Sequence, residues 1–312
     1  MSASKTTSET NLSVSNNDEK SFFILGCFNR RLIEKMVAKE EDINMTDDKG
    51  KTILHHAVEK DVGFIVREIL KGNPDVTIVD ENKQTAFHIA VEKEYFPIMK
   101  QFIDYGVDVD FPKIIEPPIF WSVVNGKDNL TELLITAGAD VNKAREIDGS
   151  TPLFAAIIGD HTGRSFELLI AAGANIHVQN KRGVTLLHFA SLLGKKNFVE
   201  MLIALKADIN AFSEAEGTPL HCAVFAESTE VINLLLMAGA DHAIANKEGR
   251  NPSQEAEYNG SHWISKMIDR LVLILDLQKD MESRSQNIQK YLEFFKQTKS
   301  FERKIKRYKL LH

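Results

Sequence analysis

A motif that recurs at an interval close to 33 residues constrains this chain more than any other feature of its sequence. It reads T-I-L-H-H-A over Thr52–Ala57 and T-P-L-H-C-A over Thr218–Ala223. The copies, two of them weaker, begin at Thr52, Thr85, Pro117, Thr151, Thr185, Thr218 and Asn251, at intervals of 33, 32, 34, 34, 33 and 33 residues. So regular a period predicts a stack of similar units, each stabilised by its neighbours.

A second motif follows each copy of the first by about 21 residues. It reads G-A-D-V-N at 138–142, and related copies stand at 40–44, 73–77, 106–110, 173–177, 206–210 and 239–243. Threonine or proline in the first motif favours the start of a helix. Glycine in the second favours a left-handed helix end. Apolar doublets between the motifs, such as Leu234-Leu235, are spaced for one face of a second helix.

Together the two motifs resemble the ankyrin repeat, whose T-P-L-H-x-A motif and 33-residue period match over 21–262. The resemblance implies an all-α fold, an ankyrin-repeat solenoid of about seven helix-turn-helix units with short β-hairpin fingers, plus a C-terminal helical extension. We expect a disordered leader at 1–20, and the solenoid with an N-terminal cap at 21–262. We expect a helical pair at 263–312, with a polar turn around 282–285, that either caps the solenoid or binds a target.

The histidines that could serve in catalysis or metal binding occupy positions that the repeat motif itself accounts for. His55, His88, His188 and His221 occupy the histidine of the motif, which in the family is structural and bonds to the adjacent repeat. The sequence holds no phosphate-binding loop, dinucleotide fingerprint, zinc-protease motif, nucleophile elbow or kinase signature. We therefore expect no enzymatic activity, no catalytic residue, no metal site and no cofactor.

Composition and charge favour a soluble protein of a reducing compartment. The chain is 43% apolar and 26% charged, and its net charge of −6 gives no overall field that would gather nucleic acid or an anionic membrane. Its two cysteines, Cys27 and Cys222, stand far apart, which argues against a disulfide framework. We expect a cytoplasmic monomer. The degenerate repeats and the leader would also suit a bacterial host-directed effector, which would act in the host cytosol.

The resemblance places partner binding on the concave face, at the finger tips and at the two residues that end each first helix. These pairs are charged in the first two repeats, Glu59-Lys60 and Glu92-Lys93, and mainly apolar in the next four. We predict that another protein or peptide segment binds at Trp121, Val124, Ile158, Phe189, Leu192, Leu193 and Phe225. The finger residues Ile114, Ile147 and Val184 are expected to extend this surface.

Three alternatives remain open from the sequence. Irregular spacing at 111–116 and 160–164 would shift the register and bury some of the predicted surface. The segment Lys296–Lys309 carries seven Lys or Arg and one Glu among apolar residues, so it either caps the repeats or binds an anionic membrane or nucleic acid. Asn142 and Asn210 stand in a context that resembles hydroxylated ankyrin asparagines.

Overall fold

The computed structural model describes residues 30–38, 42–110, 116–159 and 163–311, and these ranges form fifteen α-helices. The predicted leader at 1–20, Cys27 and the finger residue Ile114 lie outside the described residues. The helices are α1 (Arg30–Val37), α2 (Ile53–Glu59), α3 (Gly63–Lys71), α4 (Ala86–Glu92), α5 (Phe96–Tyr105), α6 (Pro118–Val124), α7 (Asp128–Thr136), α8 (Pro152–Gly159), α9 (Arg164–Ala171), α10 (Leu186–Leu192), α11 (Lys196–Ala204), α12 (Pro219–Phe225), α13 (Thr229–Met237), α14 (Pro252–Tyr258) and α15 (His262–Leu311).

The first helix of a repeat starts at the threonine of the motif. The Thr52 hydroxyl accepts a hydrogen bond from the His55 backbone N–H, and the His55 ring Nδ1 accepts one from the Thr52 N–H at 3.1 Å. This reciprocal capping box satisfies two backbone donors that a helix start leaves unpaired. The same box recurs at Thr185 with His188, at Thr218 with His221 and, with other residue types, at Asn251 with Gln254.

The other ring nitrogen of the motif histidine bonds to the next finger. His55 Nε2 lies 3.2 Å from the carbonyl oxygen of Gln84. Because a carbonyl only accepts, Nε2 carries the hydrogen, and the ring is neutral with Nδ1 as its acceptor. The equivalent contacts are His188 Nε2 to the Gly217 carbonyl, 2.9 Å, and His221 Nε2 to the Arg250 carbonyl, 3.0 Å. The structural role expected for these three histidines is confirmed.

Three of the described fingers are tight turns closed by a single antiparallel bridge each. In the first, Asp47 Oδ1 accepts hydrogen bonds from the N–H groups of Lys49 and Lys51, at 2.9 and 2.8 Å. Such a side-chain turn fixes a finger without a long strand. Bridges in the described residues join Thr46 to Thr52, Gln179 to Thr185 and Ser213 to Gly217.

Second helices end at a residue in the left-handed conformation, as the glycines of the second motif predict. Gly106, Gly138, Gly173 and Gly239 have φ values of 93°, 92°, 89° and 94°. Lys206 holds the same position after α11 with a φ of 65°, although it has a Cβ. This lysine therefore carries a backbone strain that glycine would not.

The chain divides into two compact units, 1–175 and 176–312. In the first, α1 packs on α3, α2 on α4 and α6 on α8, around fully buried rings that include Phe87, Phe102 and Phe120. In the second, α10 packs on α12 and α12 on α14, around Leu202, Leu235 and Val231. First helices therefore lie side by side within each unit, and their C-terminal ends share one edge.

The C-terminal segment forms one helix, α15, in place of the predicted pair with a turn around 282–285. No glycine or proline interrupts that stretch, so its serines lower helix propensity without ending the helix. Ile264 and Ile268 are buried where α15 packs on α13 and α14. In the described residues, no helix combines the length and apolarity that crossing a bilayer requires.

Candidate functional site

In the first unit, the predicted residues Trp121, Val124 and Ile158 lie on two adjacent first helices. Trp121 and Val124 stand on α6 and are half-buried, while Ile158 near the end of α8 is 48% exposed. The rest of α6 is held in the core by buried Ile119, Phe120 and Val123. The three predicted residues thus form an apolar edge on a fixed base, with Ile158 as its most accessible member.

The two helix ends approach each other closely at that edge. A Cβ added at Gly159 would lie 1.9 Å from the Val124 carbonyl oxygen, far inside van der Waals contact. Only glycine fits at this position, and the α8 end therefore rests directly on the α6 backbone. Val124 and Ile158 are brought together by this contact.

A cation anchors the finger that precedes α8. The Arg145 guanidinium lies 4.7 Å from the centre of the Phe120 ring and forms an ion pair with Glu116 at 2.9 Å. Contact with a ring face stabilises a cation, most strongly where water is excluded. The anchored finger presents Ile147, whose side chain is 80% exposed, and a binding role for this residue stays a prediction.

In the second unit, four predicted residues lie on α10 and α12. Phe189 and Leu192 are half-buried, whereas Leu193 is 43% and Phe225 70% exposed. These two helices pack directly on each other, which brings the four apolar side chains to one edge of the unit. Phe225 projects furthest from the core.

One finger prediction is wrong. Val184 is only 4% exposed, since it stands one residue before Thr185 at the base of the finger, where its backbone N–H bonds to the Asn180 side chain. Phe212, which the sequence reading missed, is instead the exposed apolar residue of the following finger. An aromatic residue in an otherwise polar finger is the signal that could have identified it.

A polar cavity of about 230 Å³ adjoins Phe225. Four glutamates and two basic residues line it with Phe225: Glu214, Glu216, Glu248, Glu255, Lys247 and Arg250. Arg250 forms an ion pair with Glu255 at 2.6 Å, which raises the pKa of the guanidinium and holds the arginine in place. Glu216 and Glu248 are likewise ion-paired, with Arg182 and Lys247, so Glu214 is the one carboxylate of this lining without an ion pair among the described residues.

Charged pairs at the ends of the first helices in repeats one and two are engaged within their own repeats. Glu59 accepts a hydrogen bond from the Lys51 ammonium, and this bond raises the lysine pKa. Glu92 accepts one from the Gln84 side chain at 3.0 Å. Both carboxylates therefore already have a hydrogen-bond partner within the repeat.

Burial favours the uncharged forms of the motif histidines and of Cys222, as is typical of side chains with a structural role. Burial lowers the pKa of His55, His188 and His221, partly offset by their bonds to backbone carbonyls, and lowers that of His88 to about 4. Burial also raises the pKa of the Cys222 thiol to about 12. In the described part of the chain, no group of three or more His, Cys, Asp or Glu is placed to hold a metal ion.

Comparison with known proteins identifies a repeat family. The profile described as ankyrin repeats matches the chain three times, over 23–113, 119–213 and 160–246. These matches span more than half of the chain and coincide with the helix pairs. Proteins built from this repeat are generally non-catalytic and generally bind other proteins.

Several curated proteins share part of this sequence. An ankyrin repeat protein of Fowlpox virus is 29% identical over 147 residues, 45% of this chain and 43% of the relative. The nuclear factor NF-kappa-B p105 subunit of Gallus gallus is 27% identical over 175 residues, 52% of this chain and 18% of the relative. Alpha-latrocrustotoxin-Lt1a of Latrodectus tredecimguttatus is 29% identical over 125 residues, 40% of this chain and 9% of the relative. The chain thus spans less than half the length of each.

Proposed function

This chain belongs to the ankyrin-repeat family, and we propose that it is a non-catalytic scaffold that binds a segment of a partner protein at the exposed ends of its first helices. The observation that carries the proposal is Phe225, 70% exposed at the end of a helix whose preceding residues are all buried. Large aromatic residues on a fixed base are common anchors of protein interfaces. Phe189, Leu192 and Leu193 add apolar surface on the adjacent helix.

The first unit offers a second patch of the same kind. Trp121, Val124 and Ile158 lie along the ends of α6 and α8, with Ile147 on the neighbouring finger. Clustered exposed apolar groups mark interaction sites more often than scattered ones do. Tryptophan is also enriched among residues that dominate binding energy.

The cavity beside Phe225 narrows the chemistry of the partner. Three of its four glutamates are ion-paired, Glu255 with Arg250, Glu216 with Arg182 and Glu248 with Lys247, and Glu214 has no ion pair among the described residues. A partner segment that presents an apolar side chain with one lysine or arginine beside it would match the ring and this carboxylate. The scaffold acts by holding this segment, and no turnover is part of the proposal.

A cytoplasmic location accords with the cysteine chemistry. Cys222 is buried as a free thiol whose pKa is raised to about 12 by burial, so it stays protonated and reacts slowly. Structural thiols of this kind are typical of reducing compartments.

Two exposed apolar residues of the second unit make a matched test. Phe225 ends a first helix and Met237 ends a second helix, and they are 70% and 74% exposed. Partners captured by the full chain from eukaryotic lysate are identified, purified and titrated calorimetrically against Phe225→Asp and Met237→Asp. We expect Phe225→Asp to weaken binding at least tenfold and Met237→Asp to retain it, with the same helical content in both.

The proposal would be contradicted if both variants lost the same affinity for the partner, or if neither variant lost any. A third variant, truncated after Phe295, tests the alternative that the basic C-terminal segment binds an anionic membrane or nucleic acid. If binding to anionic vesicles or nucleic acid depends on residues 296–312 while Phe225→Asp has no effect, the working surface is the basic segment.

A further inference from the structure

The outward face of α15 carries an apolar stripe that the rest of the chain leaves exposed. Trp263, Ile274, Leu277 and Met281 are each half or more exposed, up to 71% at Met281. They share a helix with Ile264 and Ile268, which are almost fully buried. One helix therefore presents two apolar faces, of which the described structure covers one.

Helix geometry places the two faces on opposite sides. Nine residues, two and a half turns at 3.6 residues per turn, separate buried Ile268 from exposed Leu277. The inward face continues with Leu275 and Lys279, which line a cleft against the end of α13. The stripe thus points away from α13 and α14, and its described residues are exposed.

The spacing of the stripe is that of a helix-pairing seam. Ile274, Leu277 and Met281 follow one another at three and four residues, and the sequence continues this alternation with Ile288, Tyr291 and Phe295. Arg284 takes the remaining position of the series. Apolar residues at alternating intervals of three and four favour a left-handed pair of helices.

We propose that this stripe binds the same stripe of a second copy of the chain, with the two α15 helices antiparallel over residues 274–295. A second copy supplies a helix of the same length and apolar spacing, which is the self-complementary surface that a twofold dimer requires. Packing the two stripes removes Ile274, Leu277 and Met281 of each chain from water.

Charge fixes the antiparallel direction. Residues 269–282 hold four acidic and two basic side chains, whereas residues 290–309 hold eight basic and two acidic ones. Antiparallel pairing sets each acidic segment beside a basic segment of the partner. Parallel pairing would set basic beside basic and acidic beside acidic, which like-charge repulsion opposes.

The oligomeric state of the full chain tests the pairing. The wild type is compared by sedimentation equilibrium with Leu277→Glu/Met281→Glu, which places two charges in the stripe. The control, Ser283→Glu/Gln286→Glu, adds two charges at exposed positions on the other side of the helix. We expect the wild type and the control to have twice the 35.1 kDa mass of the chain at micromolar concentration, and the stripe variant to have the single mass.

A monomeric wild type across the micromolar range would overturn the proposal, as would a stripe variant that stays dimeric. So would a monomeric wild type whose binding to vesicles of anionic phospholipid is lost in the stripe variant, since the occupant would then be a membrane. Circular dichroism confirms that both variants keep their helical content, which separates lost pairing from lost folding.

Spin labels test the direction of the pair. They are attached to Ser283→Cys or Gln297→Cys in a Cys27→Ser, Cys222→Ala background, and distances between copies are measured by pulsed electron resonance. In an antiparallel pair centred near residue 284, the labels at 297 lie about 40 Å apart along the axis and those at 283 lie close together. Short distances at both positions would indicate a parallel pair and overturn the antiparallel assignment.

Discussion

Gly159 lies against the backbone of Val124 so closely that the smallest side chain would not fit between them. A Cβ at residue 159 would stand 1.9 Å from the Val124 carbonyl oxygen and 2.7 Å from its Cα. The glycine is therefore required by packing between two first helices, since its own conformation lies outside the left-handed region. This contact sets how near Ile158 comes to the half-buried Val124 and hence the form of the apolar edge.

We expect Gly159→Ala to destabilise the first unit by about 3 kcal/mol, because the added methyl group forces α8 away from a rigid backbone. Urea denaturation followed by circular dichroism measures the loss. Gly63→Ala is the matched control, since its added Cβ would meet only side-chain atoms, at 3.3 and 3.6 Å. There the change should be near zero or stabilising, by up to about 1 kcal/mol. Similar losses in both variants would contradict a specific helix contact.

The architecture was predictable from sequence because each repeat contains the residues that begin and end its own helices. Threonine or proline begins a first helix, glycine ends a second helix, and the histidine bonds locally and to the next finger. These are local rules repeated in phase, so each copy supports the others. The turn expected at 282–285 was wrong because polarity alone does not end a helix.

The surface was harder to predict than the fold, because exposure varies with the position of a residue within its finger. Ile147 stands four residues before its motif threonine and is 80% exposed, whereas Val184 stands one residue before its own and is 4% exposed. An interpretation that treats both simply as apolar finger residues misses this difference. The position of each residue relative to the motif separates the two outcomes.

His88 differs from the other motif histidines in lacking a bond to the next finger. Its Nε2 is buried and has no hydrogen-bond partner among the described residues. The interval that follows it is 32 residues, one shorter than the interval after His55. Burial without this bond lowers the pKa of His88 to about 4.

This lowered pKa predicts loss of stability in acid. The unfolded chain binds a proton at His88 near pH 6.5, while the folded chain resists it down to about pH 4. The contribution is therefore fully present above pH 6.5 and is lost progressively as the pH falls towards 4. Between pH 7 and pH 5 the loss from His88 should be about 2 kcal/mol.

His88→Gln removes the titrating ring and keeps a capping box like that of Asn251 with Gln254. We expect its free energy of unfolding to fall less than that of the wild type between pH 7 and pH 5, measured by urea denaturation at each pH. His242→Gln, which removes an exposed ring, should keep the acid loss of the wild type. An unchanged slope in His88→Gln would show that this histidine is not the group responsible.

Replacing Lys206 with glycine is expected to stabilise the folded chain. Lys206 holds a φ of 65° where four other second helices have glycine, and a residue with a Cβ is strained there. Lys206→Gly should raise the free energy of unfolding by about 0.5–1 kcal/mol, because relief of strain exceeds the added flexibility of the unfolded chain. The reciprocal change, Gly138→Lys, should lower it by a similar amount. A loss of stability in Lys206→Gly would mean that packing of the lysine stem outweighs the strain.

Val184 and Phe225 were both expected on the binding surface, and the structure separates them by exposure, 4% against 70%. Val184→Asn should cost about 3 kcal/mol, since it buries an amide and removes apolar contacts. Phe225→Asn should change the free energy of unfolding by no more than about 0.5 kcal/mol, as expected for an exposed position. Thermal and urea denaturation of the two variants give the comparison directly. If both variants lost the same free energy of unfolding, Phe225 would belong to the core and could not bind a partner. A loss confined to Val184→Asn would leave the Phe225 ring available for binding.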